Sequence, residues 1–263
     1  MKIKLNELEI DVSFGETLKA VRLKYKPNAD VIVLNGAIQE EDVILRNGDH
    51  VMLIKKGECP PEEELEAVMA ARHTPGVHEK MKKSCVGIAG LGGLGSSVAI
   101  ALARVGTGKL ILVDFDIIEP SNLNRQQYFI DQLGLPKADA LKDNLKKINP
   151  YVDVEAHFEK VSPTNINNLF KDVDILIEAF DRPDQKAMVL QYSKAPKIIA
   201  ASGLAGYASS EEISIRKLGE NIFIVGDLKT GAAPGCGLMA PRVGIAAHIQ
   251  ANLAMQLLLE KNE

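Results

Sequence analysis

Three glycines at Gly90, Gly92 and Gly95 follow the spacing G-x-G-x-x-G between an apolar run, Cys85–Ala89, and a segment rich in alanine and valine. In a strand–turn–helix setting such glycines let the backbone turn tightly and approach a ligand. The next helix turns unpaired N–H groups and its positive dipole end toward an anion. Asp114 closes the next apolar run, about twenty residues on, where a carboxylate can bond ribose hydroxyls. The chemistry that suits this set is nucleotide binding. Its bland alternative is a glycine turn needed only for close helix–strand packing.

Beyond Asp114 the chain departs from a plain dinucleotide site. Pro120-Ser-Asn-Leu-Asn-Arg-Gln-Gln127 is a polar loop where a dehydrogenase would proceed into a helix. Arg125 offers a planar set of donors for phosphate oxygens, and Asn122 can bond phosphate or ribose. Lys137 comes after Pro136 at a predicted helix start, against the dipole, a placement that suits a cation meeting an anion. Asp181 comes after the run Ile175–Phe180, at the carboxyl edge of a predicted strand. Open α/β sheets bind ligands at that edge, and a lone aspartate beside phosphates commonly holds Mg²⁺. Taken singly, each is an ordinary solvated charge; placed together beside a glycine loop, they favour triphosphate chemistry over NAD.

These residues need elements to hold them. Lys2–Leu5 and Leu8–Val12 flank Asn6-Glu7 as a hairpin, Thr17–Tyr25 has helical spacing, and Asp30–Leu34 and Val51–Ile54 read as strands bounded by Asn35-Gly36 and Asn47-Gly48 turns. Strand, strand, helix, strand, strand in this length suggests a small β-grasp, ubiquitin-like unit. Cys59-Pro60-Pro61 stops it, and Glu62-Glu-Glu64 favours a helix start. From Ser84 strands and helices alternate: Cys85–Ala89, a helix over Ser96–Val105, Lys109–Val113, and a helix over Lys137–Ile148. Asp153–His157, Asp174–Ala179 and Lys197–Ala201 come next as strands, with helical stretches near 165–170 and 184–194. Alternation of this kind means parallel pairing with helices on both faces. The expected fold class is α/β: a Rossmann-like nucleotide-binding domain behind a small N-terminal β-grasp domain. Residues 1–57 form the front domain, 58–83 a linker with helical turns, and 84–263 the nucleotide-binding domain.

Composition narrows the setting. Of 263 residues, 31 are basic and 35 acidic, and the net charge of −4 argues against a nucleic-acid surface. The three cysteines, Cys59, Cys85 and Cys236, supply neither a disulfide framework nor a CxxC pair for structural zinc. The first residues carry no secretory signal, so the expected location is cytoplasmic. Pro241–Leu259 is long and apolar, but His248, Asn252 and Gln256 draw a polar stripe along it, and Gln250 interrupts it again. A helix that is buried or packed at a subunit interface fits better than a membrane span.

At these residues the sequence resembles the ThiF/MoeB/HesA group of adenylyltransferases, related to the ubiquitin-activating enzymes. The shared stretches are Gly90-x-Gly-Gly-Leu-Gly95, Val113-Asp-Phe-Asp116, Ser121-Asn-Leu-x-Arg-Gln126, Pro136-Lys137, Ile148-Asn-Pro150, the strand-end Asp181 and Met239-Ala-Pro241. The front end, with Val33-Leu-Asn-Gly36 and Asn47-Gly-Asp-x-Val51, resembles ThiS, the sulfur carrier of thiamin thiazole synthesis. The resemblance implies binding of Mg·ATP and of a carrier ending in Gly-Gly, whose carboxylate attacks the α-phosphate to give an acyl-adenylate and pyrophosphate. By motif, Gly90, Gly92, Gly93 and Gly95 would form the phosphate loop, and Asp114 would hold the ribose. Asn122, Arg125 and Lys137 would hold the phosphates, and Asp181 would bind Mg²⁺. Arg125, Lys137 and Asp181 are thereby the expected catalytic residues, with no general base, and His157 is expected to be structural. The family's habit and the apolar last helix imply a homodimer, with neither nucleic acid nor membrane as partner.

Five departures qualify the resemblance. Many relatives carry two CxxC pairs for zinc, and this chain has none, so no structural zinc is expected. Arg182 and Pro183 come after Asp181 where relatives often have Asn, and only Arg72 stands as a candidate for an arginine lent by a partner subunit. Cys236, between Gly235 and Gly237 before the last helix, is either a sulfur-handling thiol or an incidental loop cysteine; no neighbouring base or cation favours the former. Finally, the front domain runs through Lys55-Lys-Gly-Glu58 into more chain, with no Gly-Gly terminus to be adenylated. It is expected to be a docking or regulatory module, with a separate Gly-Gly carrier as substrate. The competing readings are a non-catalytic or autoinhibited nucleotide-binding module and an NAD-dependent oxidoreductase.

Overall fold

The computed structural model describes residues 1–74 and 76–260, and the chain divides into two compact units, Met1–His78 and Glu79–Glu263. In the first unit β1 (Lys2–Leu5) and β2 (Leu8–Asp11) form the expected hairpin, with Asn6 and Glu7 both at positive φ in its two-residue turn. α1 (Leu18–Tyr25) starts where the Thr17 hydroxyl accepts a hydrogen bond from Ala20 N at 3.2 Å. β3 (Val31–Leu34), β4 (Ala37–Ile38) and β5 (His50–Ile54) complete a five-stranded sheet of order β2-β1-β5-β3-β4, in which β1 and β5 run parallel. Ile3, Leu5, Val12, Leu18, Val21, Val51 and Leu53 form its core. The ThiS-like β-grasp reading describes this unit.

The chain leaving β5 turns back on its own unit. Asp30 accepts from Lys55 Nζ at 3.0 Å and from Lys56 N at 2.8 Å, and Lys26 pairs with Glu58 at 3.0 Å. The bonds from Lys56 N and the Lys55 ammonium hold the Asp30 carboxyl below its ordinary range. Gly57, at φ +74, makes the bend. The stretch read as a linker holds two helices, α2 (Glu62–Arg72), opened by three glutamates, and α3 (Val77–Lys82).

In the second unit β6 (Cys85–Ala89), α4 (Gly93–Arg104), β7 (Lys109–Asp114), α5 (Lys137–Ile148), β8 (Asp153–Phe158), α6 (Ile166–Leu169), β9 (Ile175–Glu178), α7 (Pro183–Tyr192) and β10 (Ile198–Ala201) alternate. β11 (Ser214–Leu218), β12 (Ile222–Gly226) and the long α8 (Ala240–Leu259) come last. The sheet order is β11-β12-β10-β9-β6-β7-β8, parallel throughout except for β11. On one face Ala89, Ile111, Val113, Leu176 and Ile198 pack against Ile166, Leu169, Phe170 and Val189; on the other, α8 lies along α4 and crosses β10 and β12. One expectation needs correction. α4 begins at Gly93, not Ser96, because the last glycines of the loop already take helical geometry. Gln250, the polar break in the apolar run, is fully buried within α8, and its Nε2 donates to Glu178 O and Ile199 O at 3.4 and 3.3 Å. The β9–β10 pairing ends at Ile177↔Ile199, and this amide adds side-chain donors to backbone carbonyls at that end of the ladder. Among the described residues no helix is long and apolar enough to cross a membrane.

Candidate functional site

The strand order reverses between β6 and β9, and a crevice opens at that switch point beyond the carboxyl ends of the strands. A cavity of about 520 Å³ occupies it. Its first wall comes from the β6 and β7 side: Gly90, Gly92, Gly93, Asp114, Arg125 and Lys137. Its second wall comes from the ends of β9, β10 and β12, including Asp181, Lys186, Gly203, Lys229 and Thr230.

The glycine loop has two stringent positions. Gly90 sits at φ +91, a region that residues with a Cβ rarely adopt. At Gly95 a Cβ would lie 1.9 Å from Gly90 O, so the first turn of α4 can approach the loop only without a side chain. Asp114 then ties the loop to β7. It is 5% exposed; its Oδ2 accepts from Leu91 N at 2.6 Å and its Oδ1 from Asp116 N at 2.8 Å. Burial pushes its carboxyl above the usual aspartate range, against the pull of those donors and of the Lys137 charge. Each oxygen keeps acceptor capacity for a ribose hydroxyl.

Lys137 is buried at the start of α5 and pairs with Asp116 at 2.9 Å, which meets the demand for an anion near a cation placed against the helix dipole. Arg125 is half-buried on the cavity wall; its guanidinium donates to Asn124 Oδ1 at 2.8 Å and Ser121 O at 3.3 Å. Asp181 is exposed at the mouth, and its carboxylate has no hydrogen-bond or ion-pair partner among the described residues. One open carboxylate facing a cradle for phosphates is the donor set Mg²⁺ takes, since that ion keeps waters and phosphate oxygens as its other ligands. No cluster of three or more His, Cys, Asp or Glu side chains suited to a metal occurs among the described residues.

Three expected residues lie off the cavity wall. Asn122 is buried beneath a short 3-10 turn and accepts from Glu119 N at 3.1 Å, so it shapes the arginine loop from inside. Gly95 serves the loop's packing, as its closeness to Gly90 requires. Cys236 is half-buried on a tight loop that pairs Ala233 with Cys236, between cavity residues Ala232 and Leu238, but is not itself on the wall. Cys85 at the start of β6 behaves differently: burial pushes its thiol up to about 11. At pH 8, iodoacetamide should therefore alkylate Cys59 and Cys236 well before Cys85, as read by peptide mass spectrometry. Earlier loss of Cys85 would contradict that burial.

Four residues at the site escaped the sequence reading. Gln126, quoted in the motif without a role, lines the cavity while 8% exposed, and its Oε1 has no hydrogen-bond partner among the described residues. Lys186 on α7 joins the wall and pairs with the buried Glu178 at 3.1 Å; burial pushes Glu178 up, and the Lys186 charge opposes this. Asp227 and Arg242 form a fully buried ion pair at 2.7 Å behind Lys229. Only Gln126 carried a signal, its place beside Arg125. His157, expected to be structural, bonds Glu155 on its own strand at 2.8 Å.

The sequence model of the ThiF family matches residues 66–263, and that of a ThiS-like ubiquitin matches residues 1–57. The chain is 31% identical over 189 residues to the molybdopterin-synthase adenylyltransferase of Haemophilus influenzae, covering 69% of this chain and 77% of that protein. It is 33% identical over 154 residues to the tRNA threonylcarbamoyladenosine dehydratase of the same organism, over 57% of this chain and 59% of that protein. Among solved structures, the E. coli tRNA N6-threonylcarbamoyladenosine dehydratase in complex with AMP shares the fold, with a TM-score of 0.66 at 21% identity. That match covers 73% of this chain and 93% of the other.

Proposed function

The chain belongs to the ThiF family, and from that footing we propose that it uses ATP to adenylylate the C-terminal Gly-Gly carboxylate of a separate ThiS-like sulfur carrier, in the making of the thiamin thiazole. The observation that supports this most is the meeting of the glycine loop, Asp114, Arg125, Lys137 and Asp181 on one cavity at the switch point. A carboxylate oxygen forms the new bond to the α-phosphorus. The bond from that phosphorus to the bridging oxygen breaks, and its electron pair leaves with pyrophosphate. The nucleophile is already ionised, so no base is needed. The obstacle is repulsion between two anions, and fixed cations aimed at the developing charge lower it. Arg125 and Lys137 take that part, the latter exchanging its bond to Asp116 for the phosphates. Asp114 holds the ribose through its free acceptor capacity. Asp181 would hold Mg²⁺, which supplies charge neutralisation on the polyphosphate when bound. Self-association as a homodimer is carried over from the resemblance.

The deciding experiment is pyrophosphate exchange into ATP that depends on a Gly-Gly carrier. Exchange indifferent to the carrier would sink the proposed substrate. The front unit's closed tail supports a carrier supplied in trans, because Asp30 and Lys26 tie down residues 55–58. Incubation with ATP should leave residues 1–57 free of adenylate, by intact mass spectrometry; adenylate on a fragment ending at Gly57 would reverse the assignment. Likeness to the dehydratase favours a second reading, activation of a carboxylate carried on tRNA. The net charge of −4 weighs against it, and exchange stimulated by tRNA would support it.

A further inference from the structure

The second wall of the cavity is held by a polar device that the nucleotide residues leave unexplained. Asp227 lies just past β12 and is 3% exposed. Its Oδ1 accepts from Lys229 N and Thr230 N, both at 2.8 Å, and its Oδ2 accepts from Thr230 Oγ1 and Arg242 NH2, both at 2.7 Å. Arg242, in the first turn of α8 and equally buried, donates from NH1 to Ala208 O at 2.6 Å and Ser209 O at 2.9 Å. One pair thus ties three segments together: the chain after β10, the turn after β12 and the start of α8. Burial acts to raise the Asp227 carboxyl, but the bonds from Thr230, Lys229 and Arg242 prevail and hold it well below the usual range.

A buried ion pair adds little net stability compared with apolar residues of the same volume, so its presence here calls for a positional reason. The clamp's Asp227 fixes the backbone of Lys229 and Thr230, which line the cavity together with Leu228, held at φ +60. The Lys229 ammonium has neither an ion-pair nor a hydrogen-bond partner among the described residues. Strand order sets its distance from the nucleotide wall. Between β6, which carries the glycine loop, and β12 stand β9 and β10, three strand steps or about 14 Å at the spacing of paired strands. A nucleotide with its ribose at Asp114 and its phosphates over the glycine loop occupies the β7–β6 side. Lys229 lines the cavity on the opposite, β12 side.

We propose that Lys229 is the cation that receives the carboxylate of the second substrate, and that Asp227 and Arg242 are positioning residues that hold it there. This rests on the adenylylation reading. Lys229→Met should raise the carrier KM in pyrophosphate exchange at least tenfold while leaving the ATP KM within twofold, and Lys229→Arg should restore most of the loss. Asp227→Asn should produce the same split, with its fold checked by thermal melting. Binding of a synthetic peptide ending in Gly-Gly, as free acid and as C-terminal amide, with a non-hydrolysable ATP analogue present, separates the two ideas. Wild type should prefer the acid, and Lys229→Met should bind both forms alike. If no carrier drives exchange but the acid preference depends on Lys229, the function fails and the subsite stands. A rise confined to the ATP KM would place Lys229 on the phosphates instead. That result, or unchanged kinetics with no acid preference, overturns the proposal.

Discussion

Arg125→Ala is expected to cut carrier-dependent pyrophosphate exchange by about 10²–10³-fold, the usual cost of removing one fixed donor from developing transition-state charge. The side chain is half-buried, and among the described residues its bonds reach only its own loop, Ser121 O and Asn124 Oδ1. Losing it should leave the melting temperature nearly unchanged, so the loss falls on chemistry and not on folding. Arg125→Lys should recover only a small part, because an ammonium cannot present the planar pair of donors that phosphate oxygens accept. Exchange at the wild-type rate in Arg125→Ala would remove this residue from the mechanism.

Gly95→Ala should do the opposite, damaging the frame before the chemistry. The added Cβ would meet Gly90 O at 1.9 Å and Ile88 at 3.2 Å, and the nearer neighbour is backbone, which cannot swing aside. Either the first turn of α4 lifts from the sheet or the Gly90 loop opens. We expect a destabilisation of about 3 kcal/mol, at the upper end for overpacking a tight interior, read by denaturant unfolding. Nucleotide affinity should fall as well, since the loop's N–H groups lose their common aim. An alanine variant as stable as the wild type would mean that the loop tolerates far more movement than this contact allows.

Much of the second unit was legible because local signals agreed with one another there. The helix over Lys137–Ile148 came out residue for residue, since Pro136 fixes its start and Asn149-Pro150 its end. Gly90, Asp114, Arg125, Lys137 and Asp181 could be grouped because a parallel sheet brings strand ends to one edge, whatever their distance in sequence. The misses have physical causes. β4 is two residues long, and β11 is an edge strand exposed on both faces, so neither leaves a hydrophobic pattern. Asn122 looks like a phosphate ligand by type, but a 3-10 turn places its amide inside the loop. The Asp227–Arg242 clamp was invisible because a buried ion pair leaves no mark on a sequence beyond two ordinary charged residues. Only the folding of three distant segments onto one point makes them partners.

The closed tail of the front unit bears on competition. A carrier-like unit joined to its own enzyme by a short tether would present its tail at about millimolar effective concentration. A free carrier in the micromolar range would meet an active site already taken up by the attached copy, about a thousandfold in excess on that basis. Three contacts from Asp30 and Lys26 hold residues 55–58 on the front unit itself, which on the proposed reading would remove that rival without removing the domain. On the proposed reading, a fused unit whose tail is held on its own surface would not act as an intramolecular inhibitor.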